Sequence, residues 1–129
     1  MHNKTAGDIM TRSVITVAPD TLLTDAVRLM MEHRIGGLVV MDQGRIAGVV
    51  TEGDIMNFVL SGDAADTAVS EAMTTEVVTL EAATDVTSVV TCLVSRRIRR
   101  VPVVQDGKLV GVISRRDVLR EMLNMYNRY

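Results

Sequence analysis

Apolar and polar positions alternate along this chain in a fixed succession of local patterns. Val14-Ile15-Thr16-Val17 is a short β-branched run, the signature of a strand, and Pro19-Asp20-Thr21 behind it signals a turn and a helix start. Ala26, Val27, Met30 and Met31 then recur at helical spacing, which predicts an amphipathic helix. Leu38–Met41 and Ile46–Val50 flank Asp42-Gln43-Gly44-Arg45, two apolar runs about a tight polar turn, hence a hairpin. A last helix follows from Asp54 through Ile55, Met56, Asn57, Phe58, Val59 and Leu60, apolar on nearly every side.

The succession then repeats. Val77-Val78-Thr79-Leu80 is a second strand-like run, Val86, Val89, Val90, Leu93 and Val94 a second helical stripe, and Val101–Val104 with Leu109–Ile113 a second hairpin, turning at Asp106-Gly107. Val118, Leu119, Met122, Leu123, Met125 and Tyr126 mark the closing helix. Gly7–Leu60 aligns with Ser70–Leu123 without a gap at an offset of 63 (Met73 minus Met10), with identities at Met10/Met73, Thr11/Thr74, Ile35/Ile98, Gly48/Gly111 and Asp54/Asp117 among others. The chain therefore reads as α/β (α+β): two pseudo-symmetric β-α-β-β-α repeats, residues 1–62 and 70–129, joined by a small, polar linker at 63–69. Half of 129 residues makes a marginal core, so the repeats are expected to fold as one module about a pseudo-two-fold axis with a cleft between them.

Composition narrows the function classes. A hydrophobic content of 47% and mean hydropathy of +0.23 are high for a small soluble protein, yet no apolar run approaches the roughly 18 residues of a membrane span. The excess points to an oligomer interface, and the two closing helices are the natural place for a homodimer contact. The first residues lack the apolar stretch of a signal peptide, and a lone Cys92, on the apolar side of a helix, is expected as a buried packing residue in a reducing cytoplasm. Net charge is −2, with most of the basic residues of the second repeat in Arg96-Arg97-Ile98-Arg99-Arg100 and Arg115-Arg116. Phe58, Tyr126 and Tyr129 are the whole aromatic complement, too few for a stacking platform, which disfavours nucleic acid as a partner. His2 and His33 belong to no cluster with metal-ligand spacing, and the absence of a nucleophile–base arrangement, a Walker loop or a dinucleotide fingerprint argues against an enzyme.

Gly48-Val49-Val50-Thr51-Glu52-Gly53-Asp54 and Gly111-Val112-Ile113-Ser114-Arg115-Arg116-Asp117 share one form: Gly, two apolar residues, a hydroxyl, two variable residues, Asp. Strand gives way to helix here, so the hydroxyl and the carboxylate stand beside free backbone N–H groups. That arrangement serves two purposes equally well. It is a capping box with Thr51 or Ser114 at the N-cap and Asp54 or Asp117 three residues on, and it is a donor–acceptor set suited to a ribose diol and a phosphate.

These motifs, with Asp8-Ile9-Met10-Thr11, His33-Arg34-Ile35-Gly36-Gly37-Leu38-Val39-Val40 and Arg99-Arg100-Val101-Pro102-Val103-Val104, make the chain resemble a tandem pair of cystathionine-β-synthase-type (CBS) domains, a Bateman module without an appended catalytic domain. The first repeat departs from the family pattern at Val39, which stands where the second has Pro102. The resemblance implies a regulatory module, not an enzyme and with no catalytic cofactor. It would bind an adenosine-containing ligand such as AMP, ADP, ATP, S-adenosylmethionine or NAD between the repeats and signal to a partner protein. It also implies two sites. In the favoured one, Ser114 and Arg100 would face phosphate and Asp117 the ribose hydroxyls, with the base against Met10, Ile15, Ile35, Gly36 and Gly37. The second would use Thr51, Asp54, Met73, Val78, Ile98, Arg99 and Arg100. Gly37 in place of Arg100 and the negative Glu52 handicap the Thr51/Asp54 site toward phosphate.

Overall fold

The computed structural model describes residues 3–62 and 65–126; His2, the first two residues of the expected linker and Tyr129 lie outside them. The order of elements is α1 (Ala6–Ile9), β1 (Thr16–Val17), α2 (Leu23–His33), β2 (Gly37–Asp42), β3 (Arg45–Thr51) and α3 (Glu52–Ser61), then a 3-10 turn at Val69–Glu71, β4 (Leu80–Glu81), α4 (Val86–Ser95), β5 (Arg100–Gln105), β6 (Lys108–Ser114) and α5 (Arg115–Tyr126). This is a mixed α/β fold in which a β-α-β-β-α pattern occurs twice. There are two three-stranded sheets, β1-β2-β3 and β4-β5-β6, each with a parallel first pair and an antiparallel hairpin.

The hairpins turn as the sequence predicts. Gln43 and Gly44 have φ of 50° and 79°, and Asp106 and Gly107 have 51° and 77°, so both central residues of each turn are left-handed, the geometry that matches the twist of the flanking strands. The opening strands are shorter than their β-branched runs. β1 pairs Thr16 with Val39 and Val17 with Val40, whereas β4 pairs Leu80 with Val103 and Glu81 with Val104. Thr79, the counterpart of Thr16, would meet Pro102, which has no N–H to offer a neighbour, so pairing in the second sheet starts one residue later. Val39 in place of proline leaves β2 with the same extent and burial pattern as β5.

The compact units of the fold are offset from the sequence repeats. One unit comprises residues 15–77, and the other comprises residues up to 14 together with 78 onward. Each unit thus takes its opening segment from the other repeat. In the discontinuous unit, Ala6 and Gly7 donate to the carbonyls of Thr84 and Ala82, and Thr11 bridges Val112 in β6. In the continuous unit, Val69 and Ser70 donate to Thr21 and Pro19, and Thr74 bridges Val49 in β3. The end of the expected linker is therefore structural: Val69 is fully buried and the Thr67 carbonyl accepts the N–H of Leu23.

Each unit has its own core. Leu23, Ala26 and Met30 of α2 pack with Leu38 and Val40 of β2, Val50 of β3, Ile55 of α3 and Val69. In the other, Ala6 and Ile9 of α1 pack with Val86, Val89 and Leu93 of α4 and with Val101, Val103 and Ile113 of the hairpin. Cys92 is half-buried rather than enclosed, because Val89 and Leu93 hold the core-facing positions of α4.

Candidate ligand site at the strand-to-helix turns

The polar residues of the repeated motif sit where β3 passes into α3 and β6 into α5. At the first turn, Thr51 is the N-cap of α3. Its hydroxyl accepts the N–H of Asp54 at 3.2 Å, and Oδ2 of Asp54 accepts the N–H of Thr51 at 2.9 Å. At the second turn, Oδ2 of Asp117 accepts the N–H of Ser114 at 2.7 Å and its hydroxyl at 3.1 Å. Both turns are capping boxes, which fix the carboxylate against the helix terminus and complement its dipole.

A third residue joins each turn from the borrowed opening segment. The Thr11 hydroxyl donates to Oδ1 of Asp117 at 3.0 Å, and that of Thr74 to Oδ1 of Asp54 at 3.2 Å. Sequence reasoning did not assign these two threonines to the site, although their identity across the repeats was the available signal. The segments approach closely because β3 and β6 carry glycine at the crossing. A Cβ on Gly48 would stand 2.7 Å from the Thr74 carbonyl, and one on Gly111 would stand 2.8 Å from Cγ of Met10.

The two carboxylates differ in spare capacity. Asp117 is 4% exposed, and its Oδ1 also accepts from Arg120 at 3.0 Å. Two donors on each oxygen use the roughly four lone-pair sites of a carboxylate, so a ribose diol reaches Asp117 only by displacing one of them. Asp54 is half-buried and, among the described residues, takes one donor on each oxygen. It retains room for the two hydrogens of a diol.

The predicted site residues divide between the units. Met10, Val78, Ile98, Arg99, Arg100, Ser114 and Asp117 belong to the discontinuous unit, and Ile15, Ile35, Gly36, Gly37, Thr51, Asp54 and Met73 to the continuous one. Within the first, Arg100 pairs with Ser114 across the hairpin and the Arg99 carbonyl accepts the N–H of Arg115 at 3.0 Å, while Met10, Val78 and Ile98 pack on the core. Within the second, Gly37 pairs with Thr51 and the Gly36 carbonyl accepts the N–H of Glu52 at 3.0 Å, while Ile15, Ile35 and Met73 pack on the core. Gly36 and Gly37 thus stand beside Thr51 and Asp54, and Arg99 and Arg100 beside Ser114. Among the described residues no cluster of His, Cys, Asp or Glu could hold a metal ion, and no helix is long and apolar enough to cross a membrane.

The profile of the CBS domain matches twice, at residues 6–61 and 69–124. The chain belongs to the CBS domain family. Among its relatives, the CBS domain-containing protein YhcV of Bacillus subtilis is 33% identical over 112 residues, covering 86% of this chain and 80% of YhcV. CBSX2, a CBS-pair protein of Arabidopsis thaliana solved in complex with AMP, superposes with a TM-score of 0.85 at 29% identity, covering 96% of this chain and 99% of CBSX2. The CBS domain pair of MJ0100, solved with 5'-methylthioadenosine and S-adenosyl-L-methionine, gives a TM-score of 0.85 at 25% identity and covers 95% and 98% of the respective chains.

Proposed function

We propose that this CBS pair is a regulatory sensor of adenosine-containing ligands and carries out no chemistry of its own. The observation that carries the reading is the twice-built turn in which a hydroxyl, a cap carboxylate and a helix N-terminus come together on a rigid strand end. Donors for phosphate and acceptors for a ribose diol are the two recognition needs of a nucleotide, and both are present there. The AMP complex of CBSX2 and the adenosyl complexes of MJ0100 support the same ligand class. In this proposal Asp54 and Asp117 hold ribose, Ser114 reaches toward phosphate, and Thr51 stands at the corresponding place of the other turn. Arg99 and Arg100 supply positive charge at the Ser114 turn, and the apolar residues offered to a base are Met10, Val78 and Ile98 in the discontinuous unit and Ile15, Ile35 and Met73 in the continuous one.

Signalling would run through a homodimer to a protein partner in the cytoplasm. The apolar faces of α3 and α5 support the dimer: Met56, Val59 and Leu60 on one and Leu119, Leu123 and Tyr126 on the other are exposed. A second reading, a dimer scaffold that takes no ligand, is favoured by one observation, the fully occupied carboxylate of Asp117.

A thermal-shift and calorimetry panel of AMP, ADP, ATP, S-adenosylmethionine and NAD separates the two. The sensor reading expects a rise in melting temperature and a binding heat with at least one of them. Silence across the panel would leave the scaffold.

A further inference from the structure

We infer that the two motif turns are tuned to ligands of opposite charge: the Ser114/Asp117 turn to an adenosine phosphate, and the Thr51/Asp54 turn to an uncharged or cationic adenosine derivative such as a thioether or a sulfonium. The inference rests on the sensor reading above and names the ligand class at each turn.

The backbone at the two turns is the same. Arg115 donates to the Arg99 carbonyl and Glu52 to the Gly36 carbonyl, both at 3.0 Å, and Arg100 pairs with Ser114 as Gly37 pairs with Thr51. Even the left-handed residue that precedes each strand is matched, with φ of 54° at both Arg34 and Arg97. On this common frame four positions are exchanged: Gly36 for Arg99, Gly37 for Arg100, Glu52 for Arg115 and Gly53 for Arg116. One turn therefore has arginine at four flanking positions, and at the same four positions its twin has three glycines and a single carboxylate.

Two further features say that the arginines serve an external anion. Arg115 and Arg116 occupy the first turn of α5, where a cation opposes the helix dipole, whereas Glu52 in the first turn of α3 complements it. Cations in that place do not complement the helix terminus. Arg99, Arg115 and Arg116 are also exposed and make no ion pair with a described residue, so their charge is available to solvent-borne ligands. The one carboxylate among them, Asp117, is already compensated by Thr11, Ser114 and Arg120. A phosphate of charge about −2 fits that field and is repelled by Glu52. At the Thr51/Asp54 turn the unspent acceptor capacity of Asp54 still holds a ribose diol, and the negative field of Glu52 and Asp54 favours a sulfonium or tolerates a thioether.

Calorimetry of the full chain with AMP and with S-adenosylmethionine at low ionic strength tests this. Asp117→Asn is expected to remove the AMP heat and leave that of S-adenosylmethionine, and Asp54→Asn the reverse. Glu52→Arg is expected to strengthen AMP at the Thr51/Asp54 turn by tenfold or more, about 1.4 kcal/mol, and to weaken S-adenosylmethionine, with Glu52→Gln moving both less in the same directions. Arg115→Glu with Arg116→Glu is expected to weaken AMP tenfold and spare S-adenosylmethionine. Native-like melting of each variant keeps a folding failure from being read as a binding result. If the native chain binds both ligands but one carboxylate variant removes both, or the charge reversals move both ligands alike, the charge assignment is overturned and the sensor reading stands. If the native chain binds neither and is silent across the wider panel too, both fall.

Discussion

The hydroxyl of Thr11 donates to Oδ1 of Asp117 at 3.0 Å, tying residues 106 positions apart in sequence into one turn. This bond, and its twin between Thr74 and Asp54, places the opening segment borrowed from one repeat directly on the carboxylate that anchors the motif of the other. Any ligand that claims Asp117 must contend with that segment, so occupancy of the turn and seating of α1 are linked.

The difference in engagement predicts a difference in stability. Asp117 is buried with donors from Thr11, Ser114 and Arg120, whereas Asp54 is half-buried and takes two among the described residues. Hydrogen bonds to a charged group contribute about 1.5–3 kcal/mol, while the Arg120 contact, mostly solvent-exposed on the arginine side, adds little. Asp117→Asn is expected to lower unfolding free energy by about 2 kcal/mol and Asp54→Asn by less than half of that. Urea unfolding of the two variants with unchanged m-values decides it, and equal losses would contradict the geometry.

Close approach of the borrowed segments predicts a second effect. Gly48→Ala sets a methyl 2.7 Å from the Thr74 carbonyl, and backbone cannot swing aside as the end of a side chain can. Gly111→Ala meets Met10 and lies 3.0 Å from the Thr11 carbonyl. Overpacking of this kind costs typically about 1–3 kcal/mol, so each variant is expected to melt several degrees below the native chain. Amide exchange should quicken at the Val49–Thr74 and Thr11–Val112 bridges, while the hairpin turns stay protected.

Much of this was legible in the sequence, for identifiable reasons. The two-residue turns follow from Asp-Gly and Gln-Gly chemistry, and the helices from apolar spacing. The hydroxyl–Asp motif announced both capping boxes. The short helix Ala6–Ile9 and the 3-10 turn Val69–Glu71 escaped because four residues or fewer cannot display a helical period. The repeat boundaries did not reveal the exchange of opening segments; only the family resemblance put Met10 with Ser114 and Asp117, and Met73 with Thr51 and Asp54. Gapless repetition at an offset of 63 says that two units are alike but not which copy of a segment docks on which sheet. The saturation of Asp117 was invisible for the same reason, since one of its donors lies near the other end of the chain.

Glu121 of α5 carries a further prediction. It stands where the first repeat has Phe58, is 8% exposed, and its Oε1 has no hydrogen-bond partner among the described residues, with Lys4 Nζ at 3.9 Å. An unpartnered buried acceptor costs about 1–3 kcal/mol, and the sister repeat already packs phenylalanine there against its core. Lys4, with a side chain 39% exposed, can turn to water when its partner goes. Glu121→Phe is therefore expected to raise the melting temperature by several degrees. A fall would mean that the ion pair to Lys4 outweighs the buried charge.

Acid sensitivity follows from two exposed caps of the discontinuous unit. The N–H and then the hydroxyl of Thr5 hold the carboxyl of Asp8 below its ordinary 3.8, and the hydroxyl and then the N–H of Ser88 do the same for Asp85. A depressed carboxyl stabilises the fold fully above its ordinary value and loses that contribution as pH falls through the depressed one. Melting temperature is expected to drop as pH passes below 3.8, and the drop is expected to shrink in Asp85→Asn, which has no proton to take up. Parallel pH profiles for native and variant chains would refute the assignment.

The apolar faces of α3 and α5 set the last test. Leu60 is 86% exposed and Met56, Leu123 and Tyr126 are exposed with it, at spacings that line one side of each helix. Phe58, by contrast, packs on the core of the continuous unit, so Phe58→Asp confounds unfolding with dissociation. Leu60→Glu and Leu123→Glu touch only the open face. Light scattering of the native chain at micromolar concentration is expected to give twice the 14.1 kDa chain mass, and each variant is expected to shift toward the single chain with its melting temperature changed only by the lost association. Burying a glutamate unpaired in an apolar interface costs several kcal/mol, enough to empty a micromolar dimer. A native chain that scattered as a monomer would leave these faces without the partner proposed for them.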